Sequence, residues 1–332
     1  MPMTFDEMTL DRQRQRFLAS GDDRELPIID AHLHFWNPAE NGQPWLCEEP
    51  MIAFRYGDYN AIRRPFLPPE YRRLCGSHQV VGCVYMEAEW AHGEALGETC
   101  WIQDLNEGEG WPNAMIAQAW LDRDDIEQQL DALSCWPLVR GVRHKPASLP
   151  LDQYHADHAL PGSLRCPHYR RGYAALARHG LIFELQVPWW HLHELVPLLE
   201  RYPEVAVVIN HAGVPGDREP QTLKGWENNL RQVAAFPQVM LKLSGIGLEG
   251  QPWRIEDNRR VVHTAFEVMG PERCMFASNF PVDSLVTTLD DLFTAFKQLS
   301  AELTPRQRLA VFCDNAIRCY RLSPPRNHPA GP

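Results

Sequence analysis

Leu26-Pro27-Ile28-Ile29-Asp30-Ala31-His32-Leu33-His34 begins as a short apolar run with two isoleucines and ends with a polar residue at every second position. The apolar part has strand length and β-branched character. Side chains alternate along a strand, so Asp30, His32 and His34 share one face. Polar groups at the end of a buried strand need partners or a task, because burying them unpaired is costly. Seven more runs of this kind follow, at Gln79–Glu87, Asn113–Trp120, Leu138–His144, Leu181–Val187, Val205–His211, Gln238–Ser244 and Arg273–Asn279. Each is succeeded by a loop and a stretch of helical pattern, the alternation of parallel βα units. Gly180, Pro203, Pro237 and Pro271 stand just ahead of four of the runs, where the preceding helices should stop. Eight units predict a closed (β/α)8 TIM barrel, a single α/β domain, over a doubly wound open sheet. No Gly-rich dinucleotide or phosphate loop follows any strand.

Outward from the barrel, residues 1–25 read as an N-terminal extension with a short surface helix over Phe5–Leu18. The barrel occupies 26–322, and 323–332, with four prolines and a glycine, read as a disordered tail. Two connections are long, Phe35–Tyr71 after the first strand and Lys145–Tyr169 after the fourth. Long loops at the C-terminal face of a barrel usually shape its active site. The first carries Trp45, Phe54, Arg55, Tyr56, Tyr59, Arg63 and Arg64 and reads either as a closure over an anionic or polyhydroxylated ligand or as a solvated loop.

Over the 332 residues, 44% are hydrophobic and 23% charged, enough apolar side chain for a large core. The formal net charge of -11 works against unaided binding to nucleic acid or an anionic membrane, leaving a small-molecule substrate as the expected partner. Nine cysteines without a CxxC pair predict reduced thiols and a cytoplasmic location. No apolar run reaches signal-peptide or membrane-spanning length, and a homo-oligomer is a possible assembly because surface helices of barrels often pair.

The remaining strand ends repeat the polarity of the first. Glu184 and Gln186 alternate against Phe183, Leu185 and Val187, and Lys242 and Ser244 against Leu241 and Leu243. Strand six ends Asn210-His211, strand four ends in the donor cluster Arg143-His144-Lys145, and Glu87 closes strand two. Strand eight ends at Asn279, which lacks a carboxylate, with Asp283 four residues on. Singly, each reads as a structural salt bridge or loop cap; together, at the C-terminal ends of barrel strands, they read as a site. Trp189 and Trp190 suit either ring stacking or packing.

With these motifs in hand, the chain resembles the amidohydrolase superfamily from about Ile28 to Tyr320, specifically the amidohydrolase-related branch of sugar-acid and pyrone-dicarboxylate lactonases. The resemblance rests on Ile29-Asp30-Ala31-His32-Leu33-His34-Phe35-Trp36, Gly141-Val142-Arg143-His144, Phe183-Glu184-Leu185-Gln186-Val187, Asn210-His211-Ala212-Gly213, Lys242-Leu243-Ser244-Gly245 and Ala277-Ser278-Asn279-Phe280-Pro281. It implies a hydrolase that opens the ester of a small lactone with activated water. The superfamily's metal ligands are histidines of strands one, five and six and an aspartate of strand eight. Here His32, His34 and His211 match, whereas Gln186 and Asn279 replace the other two.

Two schemes follow from the resemblance. In one, His32, His34 and His211 hold one divalent ion, zinc, that acidifies water. In the other no metal binds, the histidines and Arg143 polarise the carbonyl, and Asp283 or Glu184 takes the proton. The expected catalytic set is His32, His34, His211, Asn279, Asp283 and Glu184; Arg143, His144, Lys145, Gln186, Glu87, Lys242 and Arg55 are expected to bind substrate. A nonoxidative decarboxylase or C–C hydrolase of the same superfamily and a non-catalytic ligand-binding barrel are the alternatives.

Overall fold

A computed structural model of the chain describes residues 7–91, 94–155 and 159–322; the expected tail at 323–332 lies outside them. Eight parallel strands, β1 (Pro27–Leu33), β2 (Gln79–Met86), β3 (Ala114–Gln118), β4 (Val139–Arg143), β5 (Ile182–Leu185), β6 (Val207–Ile209), β7 (Val239–Leu243) and β8 (Cys274–Phe276), lie in one sheet in sequence order. Helices alternate with them, so the TIM barrel read from the sequence is the fold. Every strand falls inside its predicted run. Glu87, His144, Gln186, His211, Ser244 and Asn279 lie past the ladder ends, at the rim. The helices Pro167–His179, Val196–Arg201, Pro220–Ala234 and Ile255–Met269 stop just before Gly180, Pro203, Pro237 and Pro271. Gly180 caps its helix in the left-handed region (φ 59°), where only glycine sits without cost.

The barrel is closed by a seam between β8 and β1. The Asp30 carboxylate accepts the Ser278 amide on Oδ1 at 2.8 Å and the Tyr71 hydroxyl on Oδ2 at 2.6 Å. Backbone bonds continue the seam: Asn279 N–H donates to His32 O, and His34 N–H to Phe280 O, both at 2.8 Å. Asp30, read as part of the polar face of the first strand, thus clasps the sheet's two edges together.

The opposite end is filled by the helix Asn315–Tyr320. Arg321 just beyond it donates to the carbonyls of Arg140 and Gly180, at the starts of β4 and β5. The Tyr320 hydroxyl reaches into the barrel and donates to Glu184 Oε1 at 2.6 Å. Lys242 Nζ donates to the same oxygen at 2.9 Å, and Asn210 Nδ2 donates to Glu184 Oε2. Glu184 and Lys242 are fully buried.

The N-terminal helix spans Glu7–Ser20. It buries Leu10 and Phe17 in the hydrophobic core and pairs Arg14 with Asp314 at 2.6 Å. None of the helices among the described residues is long and apolar enough to cross a membrane, and all nine cysteines are free.

Candidate active site

The C-terminal rim of the barrel surrounds a cavity of about 260 Å³. His34, Arg143, Gln186, His211 and Asn279 enter it from the ends of β1, β4, β5, β6 and β8. The first long loop supplies a roof of Trp36, Trp45, Phe54 and Arg55, with Trp45 and Phe54 stacked in parallel at 5.6 Å. That loop is therefore a wall of the site. Arg63 and Arg64 point elsewhere and pair with Glu49 and Glu70.

Hydrogen bonds fix the tautomers of two cavity histidines. His34 Nδ1 lies 2.9 Å from the Met86 carbonyl, and His211 Nδ1 lies 3.2 Å from the Ser244 carbonyl and 3.0 Å from its hydroxyl. A carbonyl only accepts, so Nδ1 carries the hydrogen in both rings and Nε2 is a bare lone pair. Burial holds both imidazoles neutral, His34 down to about 3 and His211 well below its ordinary value. The rings thus accept hydrogen bonds, and they cannot donate to a carbonyl as the metal-free scheme supposed. His32 lies beneath them, fully buried, with its ring 5.3 Å from His34 and 4.7 Å from His211. Neither of its nitrogens has a partner.

Arg143 is the aimed cation. Its Nε donates to Glu87 Oε1, Nη2 to the Glu87 carbonyl at 2.7 Å, and Nη1 to Gln186 and Asn210 at 3.2 and 3.4 Å. Glu87 thereby orients the guanidinium. Lys145 pairs with Glu89, a cavity residue that the sequence reading passed over. The signal was present, since Glu89 keeps the parity of Glu87 past the end of β2. Burial raises the Glu89 carboxyl, but Lys145 outweighs it and holds it below the usual range. Glu89, His211 and Asn279 have left-handed backbones, with φ of 56°, 52° and 56°. Each such residue costs about 1–3 kcal/mol, strain that gathers at functional sites.

Asp283 stands one hydrogen bond behind the cavity. Its Oδ1 accepts from Asn279 Nδ2 at 2.7 Å and from the Tyr56 hydroxyl at 3.2 Å, while Oδ2 has no partner. Burial pushes the carboxyl up to about 6 against the pull of Arg55, which stacks over Tyr56 at 4.8 Å. Other expected site residues are placed elsewhere. His144 turns away, its Nδ1 accepting the Leu121 amide and its ring stacked on Tyr169. Glu184 and Lys242 lie inside the barrel, satisfied by each other, Tyr320 and Asn210, and do not line the cavity. Trp189 packs on Gly225, and Trp190 donates to the Leu149 carbonyl.

Against known proteins, a family model described as Amidohydrolase matches residues 29–322. The chain belongs to the amidohydrolase family. Its relatives include a protein named y4mH from Sinorhizobium fredii, 31% identical over 90% of this chain and 99% of that one. An L-fucono-1,5-lactonase of Burkholderia multivorans is 25% identical over 90% of this chain and 97% of its own length. Among solved structures, an amidohydrolase from Burkholderia multivorans with bound zinc aligns at a TM-score of 0.70 and 25% identity, over 89% of this chain and 99% of that one.

This amidohydrolase is an incomplete match for such an ion. The Nδ1–H bonds of His34 and His211 to carbonyls are those of metal-ligating histidines, and His32 has both nitrogens to spare. However, among the described residues no three His, Cys, Asp or Glu side chains are gathered to hold a metal ion. Where the family places a histidine on strand five and an aspartate on strand eight, this chain has the uncharged amides Gln186 and Asn279.

Proposed function

We propose that this amidohydrolase opens the ester ring of a small sugar-acid or dicarboxylate lactone with water. One observation carries the reading: the Arg143 cation and the bare Nε2 atoms of His34 and His211 face a single cavity of about 260 Å³ under an aromatic roof. The volume suits one small ring. Arg143, fixed by Glu87, stabilises the negative charge that grows on the carbonyl oxygen, and being already oriented it needs no reorganisation to do so.

His211 holds the attacking water by one hydrogen on its Nε2 lone pair, and the water's other proton passes across one intervening water to Asp283, held near 6 behind Asn279. The hydroxide adds to the carbonyl carbon, the ring C–O bond breaks, and the proton returns to the departing oxygen, leaving a hydroxy acid. The relatives named L-fucono-1,5-lactonase and L-rhamnono-gamma-lactonase support this reaction class.

The test is proton release at neutral pH from a panel of sugar-acid and dicarboxylate lactones, before and after dialysis against a chelator. Opening of at least one lactone well above the blank is expected, with kcat/KM retained after dialysis because the amides Gln186 and Asn279 stand in two of the family's ligand positions. No lactone above the blank, or CO2 release from a phenolic acid in its place, overturns the reading. Collapse of activity on dialysis with recovery on added zinc overturns the metal-free assignment alone.

A further inference from the structure

The barrel's mouth holds a second cavity that the proposed reaction does not use. It measures about 460 Å³ and lies over β2, β3 and β4, where Glu87, Gln118 and Arg143 end or follow those strands. Trp45, Glu89, Arg143 and Lys145 face both spaces, so the two adjoin along that line. Trp90 and Trp120 complete the far wall and are only 8% and 7% exposed, so their positions are fixed by packing. Gln118, 9% exposed, presents a buried Oε1 that has no hydrogen-bond partner.

The chemistry of this cavity differs from that of its neighbour. Glu87 is committed to Arg143 and Glu89 to Lys145, so the charges cancel in pairs across the shared wall. The remaining recognition elements are indole rings and the His144 ring, which take flat surface, and an amide oxygen, which takes a hydroxyl donor. A pyranose ring has both, with C–H faces for an indole and hydroxyls at its edge. A second anion has neither. The reaction cavity, below the usual ~300 Å³ of a ligand pocket, has little room for anything attached to the lactone. A substituent has to leave it, and the neighbouring space meets it at Trp45, Glu89, Arg143 and Lys145.

We propose that the cavity over β2, β3 and β4 is a second subsite for a neutral sugar ring, so that the substrate is the lactone of a disaccharide acid. The inference rests on the lactonase reading. Glucono-1,5-lactone and maltobiono-1,5-lactone differ only by the attached glucose, and their blank-corrected kcat/KM values give the test. The disaccharide lactone should be opened with a kcat/KM about tenfold higher or more. Gln118→Leu and Trp90→Ala should each lower that value about tenfold and leave the monosaccharide value within about twofold. Equal or faster opening of the monosaccharide lactone, or equal losses for both substrates in the variants, overturns the proposal.

Gln118→Leu changes little volume and keeps the test alive if Trp90→Ala does not fold. Calorimetry with maltobionic and gluconic acids needs no turnover and separates the two ideas. Tighter binding of maltobionic acid that Gln118→Leu abolishes supports the subsite even if no lactone opens, whereas equal binding of the two acids counts against it.

Discussion

Asp283 is the residue on which the acid side of the reaction turns. Only its carboxylate form takes a proton, and burial has raised it to about 6, so kcat/KM should rise as pH climbs through about 6 and fall below it. A pH profile flat from 5 to 7 would assign the proton elsewhere. Asp283→Asn should lower kcat about 100-fold or more with little change in fold by circular dichroism. Gly245 is a second sensitive position: it sits at φ 53°, and an added Cβ would lie 2.5 Å from His211 Nδ1. Gly245→Ala should therefore displace the His211 ring, cutting kcat more than it raises KM, and cost about 1–3 kcal/mol in urea unfolding. At this scale the sequence was legible for residue type and strand end but not for role. His144, Glu184 and Lys242 satisfied the same pattern as Arg143 and His211, and what separates them is partners distant in sequence: Leu121, Tyr169, Tyr320 and each other.

Among the elements, β1 does two jobs. Its polar face supplies His34 to the cavity and spends Asp30 on the seam with β8, across a separation of 248 residues. Tyr71→Phe removes the hydroxyl donated to Asp30 and leaves a buried carboxylate oxygen unpaired. It should cost about 1–3 kcal/mol in urea unfolding. A loss near zero would mean that the seam holds without it. The strands were legible because their signals are local: β-branched runs of a few residues bounded by Gly180, Pro203, Pro237 and Pro271. The seam was not, since nothing near Asp30 in sequence distinguishes a clasp from a catalytic acid. The first long loop was legible as a cover but not in its division of labour. Arg55 reaches the cavity, while Arg63 and Arg64 are held by Glu49 and Glu70.

Across the whole molecule, the interior pair of Glu184 and Lys242 joins the two ends of the barrel. Glu184 takes a hydrogen bond from Tyr320 below, and Asn210, which donates to it, accepts from Arg143 above. Burial lowers the Lys242 ammonium, and the neighbouring carboxylate works against that. Lys242→Met should cost about 3–5 kcal/mol, because it strands a buried carboxylate, and Glu184→Leu combined with it should recover part of the loss. Urea unfolding of the single and double variants measures both, and a double variant less stable than either single would refute the pairing. Tyr320 belongs to a helix that follows all eight strands in the chain, so it leaves the ribosome after they have been made. A nascent chain whose helix has not emerged holds a complete sheet around a carboxylate still lacking its phenol. The barrel's interior can then be finished only after that helix has emerged, and until then the growing chain stands in a form open to chaperones and proteases.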